Sequence, residues 1–291
     1  MSHHIRRLLA VADASPEGER LARTAAALAR RLDAGLVALW VLRRPSPSPA
    51  ETFARGAGPM HEVFEHQAAA EAGLSTEARL AFVRAVGAAG VPVDFRPTWD
   101  DGAASLPPTR AGDLFVVGHP KLHDQPDALT AERLLIASGR PVLILPSDAE
   151  SSVHGPVLIC WNGSPAARRA VEDALPLIRT AGSATILVVD DAASLEGVED
   201  LTTSLRERGV KAAVQWTTSG SATVAETIAA VAGDLDAGLI VLGGYSRSPT
   251  LERIFGGVTR SFLAGAPRPL LLSHVPAHLA RAQAPAGEAA G

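Results

Sequence analysis

Cysteine is nearly missing from this chain: Cys160 stands alone among 291 residues. No disulfide can form within the chain, which fits a reducing compartment and leaves stability to hydrophobic burial. Aromatic residues are scarce at 4%, with a single tyrosine. No Lys/Arg-rich tract stands out and the formal net charge is −4, so no nucleic-acid partner is expected. No apolar stretch approaches the ~20 residues that a membrane span requires, so no membrane partner is expected either. The opening MSHHIRRLLAVAD has an apolar run too short for a signal peptide and closed by Asp13, so the expected location is the cytoplasm.

Catalytic and metal signatures are lacking too. There is no G-x4-GK-[ST], no G-x-G-x-x-G after the first strand, and no defensible Ser-His-Asp order. Cys160 lies in a strand pattern with no base nearby and reads as an inert thiol. His119, His123 and Asp124 offer N and O donors without an evident third ligand. His61 and His66 are five apart, about 140° round a helix, and do not converge. The expectation is a non-enzyme without a bound metal, although weak ATP hydrolysis stays open.

What the chain does contain is repetition. Arg7-Leu8-Leu9-Ala10-Val11-Ala12-Asp13-Ala14-Ser15-Pro16 matches Val157-Leu158-Ile159-Cys160-Trp161-Asn162-Gly163-Ser164-Pro165 in type and order: a buried strand, a polar turn, then Ser-Pro opening a helix. Val116-Val117-Gly118 matches Val241-Leu242-Gly243, and Arg140-Pro141-Val142-Leu143-Ile144 matches Arg268-Pro269-Leu270-Leu271-Leu272. The chain reads as a tandem duplication, 1–148 and 153–279, with a polar linker (SDAESSVHG, 147–155) and a flexible Ala/Pro/Gly-rich tail, 280–291.

Apolar periodicity predicts strands over 7–12, 36–42, 93–98, 114–117 and 141–145 in the first half, with helices over 16–32, within 61–89 and over 128–138. A long loop, 45–59, comes before the second helix. The second half predicts strands over 157–161, 184–189, 211–217, 239–242 and 269–273, with helices over 165–180, 195–208, 222–232 and 250–263. Such alternation implies an α/β fold in which each half is a five-stranded parallel sheet covered on both faces, with right-handed crossovers. A ligand would sit beyond the carboxyl ends of the strands.

The halves differ in what could bind one. After Gly118 no glycine follows until Gly139, and Pro107-Pro108 prevents a full helix between the third and fourth strands. The second half carries Gly243, Ser246, Gly256 and Gly257 between a strand and a helix, exposing backbone N–H groups of the kind that cradle phosphate. The same glycines also serve turning and close helix packing, which is the alternative reading.

This spacing resembles the G-x2-G-x9-G-[ST] nucleotide signature of the universal stress protein family. Ser246 stands in place of the second glycine, and Gly257 in place of the phosphate-contacting Ser or Thr. The resemblance implies two Rossmann-like, adenine nucleotide alpha hydrolase-like domains, of which the first is degenerate. It also implies association through the last strands, 141–145 against 269–273, which would shield two sheet edges. Position by position it puts Asn162 where the family has an adenosine-contacting Asp, and Cys160, Val188 and Leu242 against the base; each of the three also reads as plain core. Gly243, Ser246, Gly256, Gly257 and Val258 make up the loop and helix start. Arg247 is either a phosphate contact or a solvated loop residue, and Trp161 either covers a base or packs under a helix. Asp13 reads as a capping or turn residue. The implied function is stress-associated, non-catalytic binding of ATP, ADP or AMP, with Mg2+ if a triphosphate, by the second half. A homodimer and a protein partner are expected. The alternative is a nucleotide-free interaction module.

Overall fold

The computed structural model describes residues 4–42, 57–87, 89–99, 113–118, 129–146, 153–190, 197–244 and 256–274, with backbone alone at 57–64, 67 and 99. The first half contains β1 (Arg7–Val11), α1 (Pro16–Leu32), β2 (Gly35–Leu42), α2 (Ala57–Gly87), β3 (Val93–Trp99), β4 (Asp113–Gly118), α3 (Ala131–Ser138) and β5 (Val142–Leu145). The second contains β6 (Val157–Cys160), α4 (Pro165–Ala181), β7 (Ser183–Val189), α5 (Val198–Glu207), β8 (Lys211–Thr217), α6 (Val224–Asp234), β9 (Leu239–Gly243), α7 (Gly257–Ala264) and β10 (Leu270–Ser273).

Local chemistry sets the helix starts. Ser15 and Ser164 are extended N-caps whose Oγ accepts the N–H of Gly18 and of Ala167, each at 3.1 Å, and a proline follows each cap. Proline suits that position because its missing N–H would have had no helical partner. Thr223 and Glu226 form a reciprocal capping box at α6, with the Glu226 N–H donating to Thr223 Oγ1 at 3.2 Å and the Thr223 N–H to Glu226 Oε2 at 2.8 Å.

Ten strands form one sheet in the order β3-β2-β1-β4-β5-β10-β9-β6-β7-β8. Pairing is parallel within each half, and β5 meets β10 antiparallel with Leu143 opposite Leu271. Both final strands are thereby internal, as the resemblance implied. One face of the sheet carries α1, α2, α4 and α5 over a core that runs from Leu8 and Ala10 to Ile159 and Val188. The other carries α3, α6 and α7 over Leu9, Phe115, Leu158 and Ile240. Each core crosses the join between the halves. Arg31 of α1 reinforces it by donating through Nη2 to the Val153 carbonyl at 2.7 Å.

Several helix boundaries differ from expectation. Helix α2 begins at Ala57, so Pro59, expected in a loop, lies in its first turn, where a proline removes no helical hydrogen bond; residues 45–56 of that loop lie outside the described residues. Helix α3 begins three residues late, because Thr130 caps it. Helix α6 likewise waits for its cap at Thr223. The helix expected over 250–263 does not run through Gly256, which is extended at φ −65° and ψ 165°; 250–255 lie outside the described residues.

At the base of the first half, Arg7 and the Asp113 opposite it form a two-point ion pair: Nε to Oδ1 at 3.1 Å and Nη2 to Oδ2 at 2.8 Å. That hydrogen bond is the main cause holding the Arg7 pKa above its ordinary value. The corresponding pair in the second half is Val157 opposite Leu239.

Candidate functional site

Strand order reverses at β6, which pairs with β7 on one side and β9 on the other. The crevice beyond the carboxyl ends of β6 and β9 is where an α/β sheet of this kind takes a ligand. Cys160 and Leu242 lie side by side on the face that carries α6 and α7, together with Val258 and Phe262. The Cys160 thiol is buried and free, and desolvation pushes its pKa up to about 12, which leaves it an apolar wall rather than a nucleophile.

Val188 is not in this group. It is fully buried on the opposite face, with Trp161 and Val241; Leu187 and Val189 are the β7 residues packed with Cys160 and Leu242. A strand buried on both faces carries no alternation that would tell the two apart.

Gly243 ends β9 opposite Ser273. A Cβ there would lie 2.6 Å from the Ala166 carbonyl carbon and the Ala167 nitrogen, so the first turn of α4 approaches too closely for any side chain. The next N–H, that of Gly244, donates to the Ser273 carbonyl at 2.7 Å and is already used. The start of α7 differs. Gly256 is its N-cap and supplies no side-chain hydrogen bond, and the first turn holds no acid. Its first N–H groups therefore meet no compensating side chain from Gly256 or from the helix's own first turn. Gly257 is exposed, and a Cβ on it would meet nothing within 4 Å.

Asn162 is exposed in the turn between β6 and α4. Its Oδ1 accepts the Ser164 N–H at 3.2 Å, closing the turn before α4 and leaving the amide NH2 to donate. The residue in its place in the first half, Asp13, accepts the Ser15 N–H at 3.0 Å and the Ser15 hydroxyl at 2.6 Å. Asp13 is thus a turn residue. Trp161 packs under α4, with the Arg168 Cζ 5.6 Å from its ring centroid, so the packing alternative holds. Ser246 and Arg247 lie outside the described residues, as do His119, His123 and Asp124. Among the described residues no group of three His, Cys, Asp or Glu side chains could hold a metal, and no helix is long and apolar enough to cross a membrane.

Two residues at the mouth escaped the sequence reading. Asp190 follows β7 in a left-handed conformation, φ 57°. Its carboxylate accepts the Ser219 N–H at 2.8 Å and the Ser219 hydroxyl, which holds its pKa below the ordinary range and ties the ends of β7 and β8 together. An acid closing the apolar run 186–189 was the available signal. His274 follows β10 and hydrogen-bonds the Gly244 backbone; burial, the larger influence, pushes its pKa down and favours a neutral imidazole. No pattern in the sequence marks that contact.

The model of the universal stress protein family matches residues 4–105 and 154–274, which is most of both halves. A universal stress protein from Archaeoglobus fulgidus DSM 4304 is similar with a TM-score of 0.68 at 16% identity, over 95% of this chain and 100% of its own. A functionally unknown protein from Pseudomonas aeruginosa PAO1 gives 0.54 at 16% identity, over 95% of each chain. At such identities the likeness establishes the fold. No curated protein matches the chain.

Proposed function

We propose that this chain, which belongs to the universal stress protein family, is a stress-associated, non-catalytic adenine-nucleotide binder of the cytoplasm that works through its second half. The observation that carries the reading is the glycine start of α7, whose Val258 packs on the cluster of Cys160 and Leu242, together with exposed Asn162 after β6, the strand at which the order reverses. Cys160, Leu242 and Val258 would hold the base, Asn162 a ribose hydroxyl or base edge, and the Gly256–Gly257 backbone the phosphates. Ser246 and Arg247 would close over ATP, ADP or AMP, with Mg2+ accompanying a triphosphate. The bound nucleotide would order 243–257 and present that surface to a protein partner or a second copy. The site belongs to the unit 153–279, and the unit 1–148 retains no ligand.

One observation favours the alternative of a nucleotide-free interaction module: close packing against α4 already accounts for Gly243. The test uses Gly257→Glu, which places a carboxylate at the start of α7, where it stabilises a helix yet repels phosphate. Thermal melting is followed against ATP, ADP and AMP. Stabilisation of the parent that rises with nucleotide concentration, is lost in Gly257→Glu and is strengthened by Ser246→Gly with Gly257→Ser supports the binder. No shift at millimolar nucleotide overturns it.

A further inference from the structure

In the first half α1 packs directly against α2, and Phe82 and Val86 of α2 are buried in the core there. The corresponding helices of the second half, α4 and α5, enclose a groove of about 290 Å3. Trp161 lines it, 5% exposed, with its indole Nε1 buried and lacking a hydrogen-bond partner among the described residues. A buried donor without an acceptor is costly, and such groups are rare unless a ligand or water serves them. Arg168 lies over the same ring and donates through Nη2 to the Gly163 carbonyl at 3.2 Å. Gly197, at φ 80°, lines the groove beside them, with a Cβ position in ordinary contact distance of Arg168 Nη1 (3.5 Å) and Trp161 Cζ2 (3.6 Å). Leu175, Leu201 and Leu205 line the remainder.

We propose that this groove binds a small amphipathic carboxylate. The carboxylate accepts from the Trp161 indole N–H and the Arg168 guanidinium, and the apolar body lies between Leu175, Leu201 and Leu205. The volume is at the small end of ligand pockets, about 300–1,000 Å3, which suits a ring or branched chain with one charged group. Glu172 and Asp200 in the lining offset Arg168 and Arg208, which suits a single negative charge and opposes a polyanion such as a nucleotide. The site faces α4 and α5, on the opposite side of the sheet from Cys160 and Leu242, and needs no nucleotide.

The experiment titrates sodium phenylacetate into the 15N-labelled full chain and follows the indole N–H resonances of its four tryptophans, with Trp161→Phe identifying the relevant one. The expected result is a saturable shift of the Trp161 resonance alone. Arg168→Gln, at an exposed position, should weaken binding roughly tenfold through loss of a charge-assisted hydrogen bond. Leu201→Phe, which fills the groove from a half-buried position, should abolish it. Absence of a saturable shift, an equal response to benzylamine, or unchanged affinity in both variants overturns the proposal.

Discussion

The two halves share strand order, a Ser-Pro helix start and the packing of helices on both faces, yet they treat equivalent positions differently. Arg7 and Asp113 hold the base of the first half by charge, where Val157 and Leu239 hold the second by apolar contact. Asp13 turns its carboxylate onto Ser15, while Asn162 engages one oxygen and keeps its NH2. Helices α1 and α2 meet, while α4 and α5 leave a groove. The sheet register and the caps are what duplication has kept; the surfaces around them have been free to diverge, because neither depends on them.

The largest effect should come from the base of the first half. Asp113→Ala removes the carboxylate to which Arg7 Nε and Nη2 donate and should cost about 2–3 kcal/mol in urea unfolding, less than a fully buried pair because the Arg7 side chain is 27% exposed. Copying the second half, with Arg7→Val and Asp113→Leu together, should bring stability back to within about 1 kcal/mol of the parent. If the double variant were no better than the single one, the two bases would not be interchangeable.

Next come the glycines of the second half. Gly243→Ala forces a Cβ against the α4 backbone and should cost about 2 kcal/mol, whereas Gly257→Ala, in open space at the first position of α7, should be neutral or stabilise by up to about 0.5 kcal/mol. Equal melting temperatures would sink the division between a packing glycine and a free one.

The smallest effect concerns the capping box at α6, which stands where the first half has Pro107-Pro108. Hydrogen bonding to Thr223, backbone first, lowers the Glu226 pKa below its ordinary 4.5. A carboxyl lowered on folding contributes stability above its unfolded pKa and loses it as pH falls through the folded value. Glu226→Gln should therefore melt below the parent at neutral pH, and the gap should close below pH 4.5. A gap that persisted in acid would assign the effect to shape rather than charge.

Much of the fold was legible because its signals are local. Ser15-Pro16 and Ser164-Pro165 are helix starts written in two residues, and the matched runs Arg140–Ile144 and Arg268–Leu272 mark the same final strand twice. The candidate site was legible only in part. Gly256 and Gly257 could be picked out by spacing, but the need for glycine at 243 comes from Ala166 and Ala167, more than seventy residues earlier, and no local pattern carries it. Val188 takes the plain-core reading, on the face away from Cys160 and Leu242; the apolar run 186–189 could not decide this because it offers both neighbours equally. The groove beside Trp161 depends on how far apart two helices settle, a property of packing to which the sequence gives no period.

The antiparallel meeting of β5 and β10 has a consequence for how the molecule is approached. Two parallel sheets joined this way run in opposite directions, so the carboxyl ends of β6 and β9 share an edge of the sheet with the amino ends of β1 and β4. A visitor to the second half's crevice meets Arg7 and its surroundings on the same side, while the crevice of the first half opens away from it. The first half thus supplies the ground beside the second half's crevice, and the chain presents two unlike ends rather than two copies of one.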